Sequence, residues 1–367
     1  DKGLSNSEVC LAAALWGACS AGAEIQMLPL EHFFSENSVK DIDLLRNSIV
    51  EADSVLISTP VYFGDRSSLS QRLIDFIRED PITSNEIKGK IYGGLTVGAK
   101  RNGGQETALI YQMIDMIDTG ALGVGNDHIT TSQYGGTGHA GDIGTMPKDK
   151  YGLNTCIGTG RRVTNVAKIK SLVEDYKLRA DLKVGIISLQ DKGSRLDHFL
   201  SSLVENLDND VDVDVINFTD NDILPCMACD ICPCRIGKDQ VYRCIRGKKD
   251  QLHLFHQKIL EYDVIIPAML SPVNRSDIQS NYQQFLERTR YLRRGDYALS
   301  NRLIVPLVFN EIGSNENLHI RMITSFIRHH TVIHKPIMGW YQNEKVLNNE
   351  ELESTFKQVI KNGTDLT

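Results

Sequence analysis

Five of the chain's eight cysteines fall within nineteen residues, as Cys226-Met-Ala-Cys229-Asp-Ile-Cys232-Pro-Cys234 and then Cys244. Buried cysteine behaves as a small hydrophobe and scatters through a core, whereas thiolates two residues apart on a bending backbone converge on one soft metal centre. The Cys-x2-Cys-x2-Cys spacing is the one iron-sulfur loops use, and four of the five thiolates suffice for a 4Fe-4S cluster. Zinc on the same thiolates and free or redox-active thiols are the alternatives. Arg243, Arg246, Lys248 and Lys249 form the one local basic cluster in the sequence. Beside the thiols they read as compensating charge or as a solvated face.

A second group of residues stands in the first half. Ser5-Asn6-Ser7 precedes a helix predicted over Glu8–Ala21. Hydroxyl and amide donors beside the free N-H groups of a helix start make a phosphate site, and they also make an ordinary helix cap. Thr59-Pro60-Val61-Tyr62-Phe63-Gly64 follows an apolar strand and sets two aromatics at its mouth, to press on a flat heterocycle or to close the edge of the core. In Gly98-Ala-Lys-Arg101-Asn-Gly103-Gly104-Gln105-Glu106 the paired glycines permit close backbone approach while amides bond a polar ring edge. The stretch is neither a Walker loop nor GxGxxG. His128–Gly152 carries glycines at 135, 136, 138, 141, 144 and 152 and reads as a long loop. It either closes over a bound ring, with Tyr134 and His139 as its polar candidates, or is a surface loop alone. Arg161 and Arg162 follow, solvated or paired with carboxylates.

These residues need a scaffold. Apolar runs of strand length alternate with helix-length amphipathic stretches, which predicts an α/β fold with a parallel sheet covered by helices on both faces. The predicted strands are Glu24–Leu28, Ser54–Thr59, Ile91–Val97 and Leu122–Gly125, then Lys183–Ser188, Val211–Phe218, Val264–Ala268, Leu303–Phe309 and Val332–Met338. The two halves echo one another. Ala52 to Phe63 corresponds to Tyr262 to Asn274, and Arg101 to Leu109 corresponds to Ile312 to Leu318 through Asn315 and Glu316. A duplicated domain accounts for both matches. The boundary is expected near Lys177–Ala180, in a chain of 367 residues that has room for two cores.

Net charge of -7, with 24% charged residues and 41% hydrophobic ones, excludes nucleic acid and anionic membrane as main partners, since phosphate binding needs clustered Lys and Arg. The longest apolar stretch, Val9–Ala18, is too short to span a bilayer. A cysteine cluster in a chain opening without an export pattern places it in a reducing cytoplasm.

Together these segments resemble the NADPH-dependent FMN reductase family of flavodoxin-like proteins, and the cysteine tract resembles that of the iron-sulfur flavoproteins within it. Ser5, Asn6 and Ser7 match the end of the family's phosphate loop. Pro60, Val61, Tyr62, Phe63 and Gly64 match its Pro-Val-Tyr-Phe-Gly loop, and Gly103, Gly104, Gln105 and Glu106 match its Gly-Gly-Gln-Glu loop. The resemblance implies two tandem flavodoxin-like doubly wound domains. One, at 1–178, binds FMN and lacks its opening strand, an absence expected of a truncated sequence. The other, at 179–367, carries the cysteine loop and degenerate flavin loops. In it Asn274 stands for Tyr62, Ser314-Asn315 replaces Gly103-Gly104, and Gly193-Ser194-Arg195 is a weak phosphate loop.

One FMN is expected, in the first half, held by the residues above with Gly98, Arg101 and Tyr134. Cys226, Cys229 and Cys232 are expected to ligate the cluster, with Cys234 and Cys244 as rivals for the fourth position. The implied activity is a flavin-dependent oxidoreductase taking electrons from NAD(P)H or a similar donor to a small-molecule or protein acceptor. An electron-transfer module is the alternative, and a non-catalytic thiol sensor or interaction protein a third. Related reductases complete their sites at subunit interfaces, which implies a homodimer or an internal pseudo-dimer.

Overall fold

Apolar runs buried on both faces make the strands of this molecule. The computed structural model describes residues 3–130, 133–176, 181–190, 195–206, 211–218, 223–229, 232, 242, 244–274, 280–294, 297–315 and 317–366. Gly193, Ser194, Cys234, Arg243, Glu316 and the expected boundary at 177–180 lie outside these residues. The chain divides into two compact units, Asp1–Leu172 and Val173–Thr367.

In the first unit β1 (Ser54–Pro60) pairs in parallel with β2 (Ile91–Gly98), Ser54 opposite Ile91 and Pro60 opposite Val97. All of β2 is buried, as expected of a strand covered on both sides. Its first half pairs with β3 (Leu122–Val124) and its second with β4 (Gly136–His139), both parallel. The helices are α1 (Asn6–Ser20), α2 (Leu30–Phe34), α3 (Ile42–Glu51), α4 (Ser68–Glu79), α5 (Thr83–Glu86), α6 (Gln105–Asp118) and α7 (Lys150–Tyr176).

Buried Cys10, Ala14, Gly17 and Ala18 form one stripe of α1, which packs on β1 and β2. Against α7 the approach is closer still. A Cβ on Gly17 would stand 2.2 Å from the Ile157 carbonyl oxygen, and one on Gly160 would stand 1.8 Å from that of Ala14. Only glycine fits at either position, and the pair fixes where the N-terminus of α1 lies.

Two expectations for this unit are corrected. Residues 24–28 form no strand; among the described residues nothing pairs with them, and a strand exists only as part of a ladder. The stretch 128–152 is not one loop. It contains β4 and a 3-10 turn at Met146–Lys148, and glycines at 136 and 138 are what admit β4, because a Cβ at either would meet buried Cys156 or Cys10 sulfur at 2.8 Å.

The second unit is built around β5 (Lys183–Ser188), flanked by β6 (Asp212–Asn217) and β7 (Val264–Ser271). Beyond β7 come β8 (Leu303–Ile304) and β9 (Leu307–Glu311), then β10 (Val332–Ile333) and β11 (Ile337–Gln342). The strands expected at Leu303–Phe309 and Val332–Met338 are therefore each two. Pro306 and Pro336 sit at the interruptions, where a residue without an N-H cannot continue a ladder. Taking each interrupted pair as one strand, the order is 2-1-3-4-5, that of flavodoxin-like folds. A hairpin through left-handed Asn343 and Glu344 adds antiparallel β12 (Lys345–Val346).

The helices of this unit are α8 (Arg195–Glu205), α9 (Leu252–Glu261), α10 (Asn281–Arg288), α11 (Arg290–Arg294), α12 (Leu318–Phe326) and α13 (Asn349–Thr364). Among the described residues no helix is long and apolar enough to cross a membrane.

Candidate functional site

At the carboxyl ends of β1 and β2 the first unit brings two loops into contact. The β1 loop turns on mutual backbone bonds between Tyr62 and Asp65, with Tyr62 N-H to Asp65 O at 2.8 Å and Asp65 N-H to Tyr62 O at 2.9 Å. Its two central residues, Phe63 (φ 52°) and Gly64 (φ 83°), are both left-handed. A bulky residue is strained there, and Phe63 nevertheless carries its ring fully exposed, beside the largely exposed ring of Tyr62.

The β2 loop presses on this turn. Gly104 has φ 97°, and a Cβ on it would lie 2.8 Å from Gly64 Cα and 3.3 Å from Val61 Cγ1. Gln105 shapes the loop from inside. Its Oε1 accepts from Gly103 N-H at 2.8 Å, while its Nε2 donates to the carbonyls of Lys100 at 2.7 Å and Gly138 at 3.1 Å. With its whole amide committed and its side chain buried, Gln105 positions the glycines. Gly98 is small because a Cβ would collide with that same amide at 2.8 Å. Glu106 is exposed in the first turn of α6.

Arg101 ties this loop to the next. It donates to the Thr137 carbonyl at 3.2 Å, pairs with Asp149 and lies over the Tyr151 ring at 5.1 Å. Asp149 also accepts from His139 N-H at 2.8 Å, and Tyr134 stands half-buried at the entry to β4.

Ser5 caps α1 in a capping box, its hydroxyl accepting from Glu8 N-H at 3.3 Å while the Glu8 carboxylate accepts from Ser5 N-H at 2.6 Å. Asn6 binds the 140s segment, donating to Asp142 O at 3.0 Å and accepting from Met146 N-H at 3.1 Å. Ser7 lies beside the Ser5 hydroxyl at 3.2 Å. The helix start is thus capped by Ser5 and the Glu8 carboxylate, with the Ser7 hydroxyl beside it. Of the two following arginines, Arg161 pairs with Asp127 at 2.7 Å. Arg162 is buried rather than solvated, and burial pulls its guanidinium down to about 10.

In the second unit Cys226, Cys229, Cys232 and Cys244 line one pocket. Its wall includes Arg246, Arg288 and Arg290. Of the sequence's basic cluster, Arg246 closes the pocket, donating to the Pro225 carbonyl at 3.1 and 2.9 Å, and Lys248 and Lys249 are exposed. Burial, and then the neighbouring sulfurs of Cys244, Cys229 and Cys226, push the Cys232 thiol up. Among the described residues no three His, Cys, Asp or Glu side chains gather as a metal-ion site. What fits a cubane cluster here is the chemistry of the donor set, four soft thiols on one pocket, and not an assembled ion site.

Sequence reading missed the support behind this pocket. Glu287 accepts from Cys226 N-H at 2.7 Å. Next to it Arg288, buried with Asp250, donates to Leu224 O at 2.6 Å, to Tyr242 Oη at 2.8 Å and to Cys244 Sγ at 3.6 Å. The available signal was a charge three residues after Phe285 on an amphipathic helix, where α10 turns its apolar stripe inward.

A parallel sheet under helices, with a strained aromatic turn and a glycine loop in contact at the carboxyl ends of β1 and β2, is the scaffold of a flavodoxin-like, flavin-dependent oxidoreductase. Residues 4–129 match the family described as NADPH-dependent FMN reductase. An iron-sulfur flavoprotein of Methanocaldococcus jannaschii is 35% identical over 132 residues, covering 36% of this chain and 67% of that protein. One of Archaeoglobus fulgidus is 26% identical over 132 residues, covering 35% and 66%. The chain belongs to the NADPH-dependent FMN reductase family.

It spans about two thirds of the length of each of these curated relatives. Among solved structures, a flavone reductase is similar at TM-score 0.34 and 17% identity, covering 48% of this chain and 63% of that one. General stress protein 14 of Treponema denticola, in complex with FMN, is similar at TM-score 0.31 and 14% identity, covering 51% and 99%.

Proposed function

We propose that the first unit binds one FMN and passes electrons from a nicotinamide donor to a small-molecule or protein acceptor. The observation that carries this reading is the contact of Gly104 with Gly64 and Val61 at the ends of β1 and β2. Two glycine backbones meet there beside two exposed aromatic rings, a surface that suits a flat ring edge. When bound, FMN supplies a ring that accepts hydride and releases electrons singly or in pairs.

This chain's residues supply the rest. The start of α1 with Ser5 and Ser7 would hold the phosphate in place of the Glu8 carboxylate that caps it, while Asn6 keeps the 140s segment beside it. The loop amides shaped by Gln105 would meet the polar edge of the ring, and Tyr62 and Phe63 would cover it and exclude water. Arg101, through Asp149, holds the β4 side of the site closed. The second unit is read as a duplicate that has lost this role. There the carboxylate of Glu311 takes up the Val273 N-H at 2.9 Å, at the loop corresponding to the first unit's turn.

FMN titrated into the purified chain is expected to bind one per chain. Gly104→Val should weaken binding at least tenfold without loss of secondary structure. An unmodified chain that binds no FMN and oxidises no NAD(P)H overturns the reading.

The four-cysteine pocket favours a second reading, an electron-transfer module in which Cys226, Cys229, Cys232 and a fourth cysteine hold an iron-sulfur cluster, with single-electron chemistry as the cluster's contribution. Anaerobic purification with flavin, iron and zinc analysis separates the two: about four irons per chain supports the module, and flavin without iron removes it.

A further inference from the structure

The cysteine tract leaves its fourth ligand open between Cys234 and Cys244, and the residues around the pocket bear on that choice. The loop's leading segment, from Leu224 through Cys226, and its trailing segment, from Tyr242 through Cys244, meet at the C-terminal end of α10. One planar group joins them. From a buried position Arg288 donates through Nη1 to the Leu224 carbonyl at 2.6 Å and through Nη2 to Tyr242 Oη at 2.8 Å and to Cys244 Sγ at 3.6 Å. Asp250 receives the same guanidinium and also accepts from Leu224 N-H at 3.1 Å. Glu287 takes the Cys226 N-H at 2.7 Å, and Ala228 N-H approaches Cys226 Sγ at 3.5 Å.

Desolvating such a pair can offset its attraction, so stability alone is a weak reason to keep it, and setting one register between two segments is the better-attested one. Lysine could not serve in the same way, because only the guanidinium fork reaches several acceptors in one plane. Among the described residues Arg288 Nε is buried without a hydrogen-bond partner, a further donor at the wall of the thiol pocket.

We propose that Cys244 is the fourth thiolate of a cysteine-ligated cluster and that Arg288 is the positioning residue beside it, whose hydrogen bond to that sulfur raises the reduction potential of the centre. The inference rests on the reading that these cysteines hold an iron-sulfur cluster. A donor aimed at a cluster thiolate stabilises the more negative state reached when one electron is added, so its removal makes the centre harder to reduce.

The test is anaerobic reconstitution of the full chain with ferrous iron and sulfide, followed by iron analysis and a dithionite-based redox titration read by electron paramagnetic resonance. Cys234→Ser should keep the iron content of the unmodified chain, and Cys244→Ser should lose it. Arg288→Lys should keep iron while its potential moves negative by at least a tenfold change in the one-electron equilibrium, about 59 mV. Should that variant fail to fold, the neutral pair Arg288→Gln with Asp250→Asn carries the same expectation without stranding a buried charge.

Retention of iron by Cys244→Ser, or an unmoved potential in an iron-bearing, folded Arg288 variant, overturns the inference alone. An unmodified chain that takes up no iron overturns the cluster reading, and the inference with it.

Discussion

Phe63 combines a left-handed backbone with a fully exposed ring, two features that the fold by itself does not reward. Replacing it by glycine removes both at once and separates their effects. Phe63→Gly is expected to leave the fold unharmed or stabilise it by up to about 1 kcal/mol, since glycine adopts φ > 0 freely, yet to weaken FMN at least tenfold. Chemical denaturation and flavin titration of the same sample check the pair, and unchanged flavin affinity would return Phe63 to a surface role. The motif around Phe63 was legible because Pro-Val-Tyr-Phe-Gly is contiguous. Arg288 was not, because its partners Leu224, Asp250 and Cys244 are brought to it from 64, 38 and 44 residues away. Gln105 reads in sequence as a contact with the cofactor, and the fold instead spends its amide on the loop, since Gly138 on β4 supplies the acceptor that completes its bonding.

Among the elements, α1 and α7 meet through Gly17 and Gly160, and that contact sets the helix start at which Ser5, Asn6 and Ser7 stand. Gly160→Leu must drive the helices apart. Overpacking of this kind costs about 1–3 kcal/mol, roughly 2–4 °C of Tm for each kcal/mol in a unit of this size. FMN affinity is expected to fall with it through displacement of the phosphate end. Calorimetry with and without FMN reads this, and a variant of lower Tm with full affinity would show that the α1 start does not hold the phosphate. The strands were largely legible from apolar runs buried on both faces. The exceptions have local causes: 24–28 has no ladder partner among the described residues, Pro306 and Pro336 interrupt their strands, and the glycines that let β4 approach Cys156 and Cys10 also disguise it as loop.

For the whole molecule, His329 and His334 are buried imidazoles of the second unit that fold neutral. Burial holds His334 down to about 4, against the bond it donates to the Lys335 carbonyl, and holds His329 down to about 3 with help from the nearby Arg293, His330 and Arg328 charges. The unfolded imidazoles take up protons near 6.5, so between that value and the folded ones the unfolded chain binds more protons and stability falls as pH falls. Each histidine is expected to cost on the order of 1 kcal/mol between pH 6.5 and 5.5. Urea unfolding followed by Trp340 in a Trp16→Phe background reads this unit, since the chain has two tryptophans. His334→Asn should flatten the slope, and an unchanged slope would show that His334 is not a source of it.

What the sequence alone determined is what short stretches of chain can encode: an alternation of strands and helices, the turn chemistry of the two glycine-bearing loops and the Cys-x2-Cys-x2-Cys spacing. The tertiary structure decided what depends on distant partners. It chose which of two contiguous loops touch, made a loop staple of Gln105, placed Cys244 with Cys226, Cys229 and Cys232 around one pocket, and set Arg288 behind them. Periodicity and spacing are written in consecutive residues, whereas a buried guanidinium finds its acceptors only when packing closes the long loops between them.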